Sequence, residues 1–134
     1  MGAVTALLHA DRDHSIAGLI LDSPFSDLSK LVNELAYHYT KLPSFLVSPA
    51  LKLIASTVQS KVGFDIYDLK PIDHVKQSFI PALFATGMND DFIQPHHSEQ
   101  LHEAYQGDKN FVKFPGGHNT QRPPYFYDSA SIFL

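Results

Sequence analysis

Phe79-Ile80-Pro81-Ala82-Leu83-Phe84-Ala85-Thr86-Gly87 and, just beyond it, Asp90 form the stretch that decides the fold. The apolar run from Phe79 to Ala85 closes on Thr86-Gly87, the pattern of a strand buried on both faces with a turn at its carboxyl end, and Asp90 follows that turn. Downstream, Leu101, Ala104 and Tyr105 fall at helical spacing in the segment that opens at Pro95. Asn110-Phe111-Val112-Lys113-Phe114 then alternates like a second strand, and Pro115-Gly116-Gly117 delivers His118 from another loop. Two strands thus end in loops that carry a carboxylate and an imidazole. Ligands of open α/β sheets bind in the crevice at the carboxyl ends of the strands, so the spacing predicts a functional pair there.

Composition bounds what surrounds this unit. The 134 residues are 44% apolar, contain no cysteine and carry a formal charge of -4, which describes a single domain of modest size. Both signs of charge are scattered, so no basic stripe argues for nucleic acid and no polybasic cluster for anionic lipid. The absence of cysteine excludes a disulfide framework and a thiolate zinc site. Met1-Gly2-Ala3-Val4-Thr5-Ala6 misses the myristoylation pattern by one position, and no basic residue precedes the apolar run Ala3 to Leu8 as in a secretory leader. No uncharged stretch is long enough to span a bilayer, and the expected compartment is the cytoplasm.

Met1, Ala3, Val4, Leu7 and Leu8 fall at helical spacing, and Asp11-Arg12-Asp13 ends that helix. Ile16 to Leu21 reads as a buried strand that runs into Asp22-Ser23-Pro24-Phe25. Ser26-Asp27 caps a helix whose apolar positions are Leu28, Leu31, Val32, Leu35, Ala36 and Tyr39, with Pro43 as its stop. Ser48-Pro49 reads as the start of another, carried by Ala50, Leu51, Ile54, Val58 and Val62 to a stop at Gly63. Asp65 to Lys76 is expected to form a short helix or turn. Arg122-Pro123-Pro124 opens a last helix from Tyr125 to Leu134.

Gly87-Met88-Asn89-Asp90-Asp91-Phe92-Ile93-Gln94-Pro95, followed by Gly116-Gly117-His118, resembles the acid and histidine loops of α/β-hydrolases, most closely their serine peptidase and esterase branches. Leu21-Asp22-Ser23-Pro24-Phe25 and Pro71-Ile72-Asp73-His74-Val75 resemble connecting segments of the same superfamily. The resemblance implies an α/β fold, the C-terminal part of an α/β-hydrolase-like sheet with about three parallel strands and flanking helices. It makes residues 1–134 a partial domain beginning just after the nucleophile elbow Gly-x-Ser-x-Gly. Met1 and Gly2 then match the last two positions of that elbow, the serine is the residue before Met1, and the backbone of Met1 is a candidate oxyanion donor. No complete Gly-x-Ser-x-Gly occurs in the chain. The helices at 28–62 exceed the single crossover that this architecture needs, and resemble the cap other members place over the active-site mouth; extra core helices are the plainer alternative.

In chain order the superfamily's triad runs serine, acid, histidine, and the resemblance assigns the second and third roles to Asp90 and His118. A serine hydroxyl needs an imidazole to take its proton, and the imidazole needs a carboxylate to hold its tautomer. Asp90 is preferred over Asp91, which is expected to face solvent, by its distance from Gly87 and the placement of Ile93 and Pro95. Ser23 also leaves a strand end, but Leu21 and Phe25 stand where an elbow needs small residues, so its hydroxyl is expected to satisfy backbone groups. His96, His97, His102, Glu99 and Glu103 offer no pair of histidines at i, i+4, so a capped, solvated helix is expected rather than a metal site. Tyr125, Phe126, Tyr127 and Phe133 are expected in the core.

The function expected is acyl transfer to water by a serine hydrolase of esterase or peptidase kind, on a small-molecule or peptide acyl substrate, with no cofactor. The present chain keeps the acid and the histidine and lacks the nucleophile. It is expected to be inactive alone and to self-associate through an unpaired strand at Ile16 to Leu21. The alternatives are a non-catalytic α/β-hydrolase-like binding or scaffold protein and a small α/β domain that binds an acidic ligand at its strand ends.

Overall fold

A computed structural model describes residues 1–41, 43–63 and 65–134, with the side chains of Ser44 and Val62 outside the description. Three parallel strands, β1 (Leu19–Asp22), β2 (Ala82–Gly87) and β3 (Lys109–Phe114), lie side by side in chain order with β2 in the middle. They alternate with α1 (Gly2–Ala10), α2 (Leu28–Thr40), α3 (Ser44–Val62), the single turn α4 (Pro71–His74), α5 (Pro95–Ala104) and α6 (Pro124–Phe133). Every residue of β2 is buried, as the unbroken apolar run predicts for a central parallel strand.

All three strands differ from the expected ranges. Phe79, read as strand, is 68% exposed, because Pro81 has no N–H to give the ladder and pairing begins only at Ala82. The same proline sets the start of β1: its carbonyl accepts from the Leu19 amide at 2.9 Å, so Ile16 to Gly18 precede the strand. On the other side, pairing of Ala82 with Lys109 adds one residue to β3.

The chain divides into two compact units, Met1–Phe25 with Pro71–Leu134, and Ser26–Lys70. In the first, the period of two sorts the strands onto two faces. Leu19, Leu21, Ala82 and Phe84 meet Leu7 and Ala10 of α1 and Leu101 and Tyr105 from α5 and its end, while Ala85 and Phe114 meet Phe126 of α6. Phe84 is the hub of the first face, with its ring 5.4 Å from Tyr105 and 6.4 Å from Phe111. Burial raises the pKa of the Tyr105 phenol, opposed by its hydrogen bond with Ser78.

Around this frame several helical faces turn away from their expected directions. Along α1 the buried stripe is Val4, Leu7 and Ala10, and Met1 is exposed. On α5, Pro95 occupies the first helical position with no side-chain cap, and the expected solvated surface fails at His97 and Ser98, both fully buried. His102 packs edge-on to Phe84 and Phe111, and burial, helped by the Lys109 and Lys113 charges, lowers its pKa. Of the C-terminal aromatics only Phe126 is in the core; Tyr125 and Tyr127 are exposed, and Phe133 lies over Gly18.

The second unit is a helical hairpin. Asp27 caps α2 as expected, accepting from the Lys30 amide at 3.2 Å. The helix ends in left-handed Lys41, ahead of Pro43, and Pro43 instead opens α3: its carbonyl accepts from Leu46 and Val47. The expected start at Ser48-Pro49 therefore falls inside α3, where Pro49 removes one internal hydrogen bond. Val47, Leu51 and Ala55 form the inward stripe, with Leu51 and Ala55 against Ile66, while Ala50 and Ile54 are exposed. Tyr39, expected inward on α2, is exposed too. Left-handed Gly63 stops α3 as predicted; the Val62 side chain lies outside the described residues. No helix among the described residues is long and apolar enough to cross a membrane.

Candidate active site

Gly87 and Phe114 are partners on the last rung shared by β2 and β3, so the two loops beyond them leave the sheet side by side. They are then stitched together. The Met88 amide donates to the Phe114 carbonyl at 2.8 Å, the Asn89 amide to the Gly116 carbonyl at 3.0 Å, and the Gly116 amide to Asn89 Oδ1 at 3.2 Å. The approach is close enough to require glycine at 87, because a Cβ there would stand 2.5 Å from the Gly116 carbonyl oxygen. Gly116 itself has φ of +129°, which L side chains rarely adopt.

This stitching brings Asp90 to His118. The Asp90 carboxylate is buried, and its Oδ1 accepts from the Phe92 and Ile93 amides at 3.0 and 2.8 Å, an Asx turn that fixes its direction. Its Oδ2 stands 2.9 Å from His118 Nδ1. An ionised carboxylate only accepts, so Nδ1 carries the proton in this contact and Nε2 of the neutral ring is left as an acceptor. The His118 side chain is 29% exposed, and the Phe92 ring flanks its imidazole at 5.1 Å. Asp91 is exposed, as expected.

Met1, the proposed oxyanion donor, stands at the N-cap of α1 with its carbonyl accepting from the Thr5 amide. Ser23 is buried and held at a left-handed φ of 53°. The expectation that its hydroxyl satisfies backbone groups is corrected: Oγ donates to Asp22 Oδ1 at 2.9 Å, the nearest carboxylate being the stronger acceptor. The strained backbone is something Ser23 shares with a nucleophile elbow, but the recorded hydroxyl partner is an acid and not an imidazole. A hollow of about 650 Å³ is lined by second-unit residues such as Lys52, Gln59 and Asp68 and by neither member of the pair.

Sequence reasoning missed Asn89 as a loop tie and Arg122 altogether. Arg122, read only as the lead-in to the last helix, forks onto Asp22 with Nε to Oδ2 at 2.9 Å and Nη2 to Oδ1 at 3.0 Å. Nothing in the spacing of Asp22 and Arg122 signals this pairing, because the contact depends on β1 and the histidine loop meeting through the sheet order.

A family model described as Serine hydrolase (FSH1) matches residues 31–121. The chain is 27% identical over 119 residues to the Alpha/beta hydrolase domain-containing protein WAV2 of Arabidopsis thaliana, covering 87% of this chain and 36% of that protein. It is 31% identical over 114 residues to the Uncharacterized protein YqkD of Bacillus subtilis, covering 81% of this chain and 35% of that one. The chain thus spans about a third of the length of these relatives. Among solved structures, acetyl xylan esterase 1 from Thermoanaerobacterium superimposes with a TM-score of 0.68 at 18% identity, over 98% of this chain and 41% of that one. The monoacylglycerol lipase of Paleococcus ferrophilus does so with a TM-score of 0.65 at 19% identity, over 98% of this chain and 63% of that one. The superposition shows the sheet and its helices to be part of an α/β-hydrolase fold. With the family model matching more than half of its residues, the chain belongs to the serine hydrolase (FSH1) family of the α/β-hydrolase superfamily.

Proposed function

We propose that Asp90 and His118 are the acid and the base of a serine-hydrolase triad, on the strength of a buried carboxylate whose Oδ1 is fixed by two backbone amides while its Oδ2 stands 2.9 Å from a partly exposed imidazole. In this reading Nε2 takes the proton of a serine hydroxyl as its oxygen attacks an acyl carbonyl carbon, then returns that proton to the leaving group. Water repeats the sequence on the acyl-serine and releases the acid. Asp90 stays ionised and holds Nδ1 protonated, so the imidazolium formed in each half-reaction is stabilised where it arises. The backbone N–H at Met1 would donate to the oxyanion, worth about 10²–10³ in kcat where such donors have been removed.

The attacking serine must come from outside residues 1–134 in this reading, since no Gly-x-Ser-x-Gly occurs in them and the Ser23 hydroxyl is committed to Asp22. Esters and acylated peptides are the substrate classes, by analogy with the acetyl xylan esterase, the lipase and an acylaminoacyl peptidase of Pyrococcus horikoshii of similar fold. The helices at 28–62 are assigned the cap role that extra helices have in the superfamily. β1 has a neighbour on one edge only among the described residues, which supports self-association of the isolated chain.

A fluorophosphonate probe with p-nitrophenyl acetate turnover tests the reading. Residues 1–134 alone are expected to take no label at any serine and to sediment as oligomers. Joined to an upstream hydrolase segment ending in Gly-x-Ser, they are expected to be labelled at that serine in a manner that Asp90→Asn and His118→Ala abolish. Stoichiometric label at Ser23 would contradict the assignment of the nucleophile, and a joined polypeptide that folds but takes no label would favour a scaffold.

A further inference from the structure

Arg122 uses every hydrogen it can donate, two on Asp22 and three on the loop that carries His118. A guanidinium has five N–H donors. Nε and one Nη2 hydrogen go to the two oxygens of Asp22, the second Nη2 hydrogen goes to the His118 carbonyl at 3.0 Å, and Nη1 donates to the Gly117 carbonyl at 3.1 Å and the Thr120 carbonyl at 2.8 Å. The plane also sits over the Phe114 ring, 4.7 Å from its centroid, and the side chain is 11% exposed. Asp22 in turn is held by the Ser23 hydroxyl, and left-handed Ser23 is tied to β2 through its amide on the Ala85 carbonyl at 2.9 Å.

We infer that Arg122, anchored by Asp22, is a positioning residue that locks the His118 loop to the carboxyl end of β1. The inference rests on the triad reading for its functional meaning but not for its geometry. A loop containing Gly116 and Gly117 has wide conformational freedom, and the stitching described above holds only its Asp90 side. Arg122 supplies the opposite side, gathering the carbonyls of Gly117, His118 and Thr120 on one guanidinium. A charged fork on a carboxylate resists rotation as a single point charge does not, so lysine cannot replace it. The consequence is one orientation of the His118 backbone, and so one direction for the Nδ1–H bond toward Asp90.

The test is ¹⁵N and amide hydrogen-exchange NMR on residues 1–134 joined to the upstream hydrolase segment. Arg122→Ala and Arg122→Lys are each expected to accelerate exchange at Gly117 and Thr120 by about tenfold or more, the cost of about 1.4 kcal/mol per factor of ten in local opening. Exchange at Leu83 and Phe84 in β2 should stay unchanged, and the His118 ring signals should double or broaden. Asp22→Asn, which keeps the shape of the anchor, gives a milder form of the same pattern and covers the case in which Arg122→Ala does not fold. Unchanged loop exchange and a single sharp His118 ring in either folded Arg122 variant would overturn the inference. If Arg122 variants loosen the loop while Asp90→Asn leaves the His118 tautomer untouched, the lock stands and the triad reading fails.

Discussion

The His118–Asp90 and His74–Asp11 pairs both lie in the unit that holds the sheet, and at the level of the contact itself they look alike. His118 Nδ1 stands 2.9 Å from Asp90 Oδ2, and His74 Nδ1 stands 2.5 Å from Asp11 Oδ2, with similar exposure of the two imidazoles. What separates them is support. The second oxygen of Asp90 receives two backbone amides, and the loops on both sides are stitched to each other. The second oxygen of Asp11 is buried with no hydrogen bond, with Arg12 Nε 3.8 Å away, and Asp11 caps the carboxyl end of α1, where the helix dipole disfavours an anion. A short contact alone therefore does not distinguish the pair proposed as catalytic from a structural one. His74 holds a misplaced carboxylate and ties α1 to α4, whereas Asp90 is held first and then holds His118.

The largest expected contrast between the pairs is kinetic. In a polypeptide that includes the nucleophile, Asp90→Asn is expected to lower kcat by about 10⁴-fold through the wrong tautomer, while Asp11→Asn leaves kcat within about twofold. Equal losses would erase the distinction. A structural contrast comes next: Gly87→Ala drives a methyl against the Gly116 carbonyl and should cost about 3 kcal/mol in denaturant unfolding, with the His118 ring released from Asp90. A smaller loss, about 1 to 2 kcal/mol, is expected for His74→Ala, which leaves Asp11 without its hydrogen-bond partner but should not change the His118 ring signals.

The smallest effect concerns pH and neither pair. His102 has a lowered pKa in the fold through burial, so the unfolded chain takes up its proton first, near pH 6.5, as acid is added. Its contribution to stability is present above that value and lost as pH falls through the lower folded value. His102→Phe should flatten that part of the stability–pH curve, and an unchanged curve would show that the ring is not the group responsible.

Much of this was legible in the residues. The apolar run from Phe79 to Ala85 identified the central strand, found at Ala82–Gly87, the caps at Asp27 and Gly63 were readable from their own chemistry, and the order of Asp90 and His118 placed both at strand ends. Pattern failed where one residue's missing N–H moved a boundary, as Pro81 did for the strands, and where a helix began four residues before the residue that looks like its start, as at Ser44. The helix face misread by one position, Ile54 for Ala55, has another cause: the stripe turns toward Ile66, a contact that periodicity does not name. The Arg122 fork was invisible because it joins residues 100 positions apart through sheet order, and a lone arginine before proline carries no local sign of it.

The central claim is that Asp90 sets the proton of His118, and the ¹⁵N spectrum of the His118 ring in residues 1–134 joined to the upstream segment, recorded above pH 7, tests it most directly. The account predicts a protonated Nδ1 and a bare Nε2 in the unaltered chain, with that preference lost in Asp90→Asn and kept in Asp11→Asn. A ring protonated at Nε2 in the unaltered chain, or an Nδ1–H tautomer that survives Asp90→Asn, would contradict it.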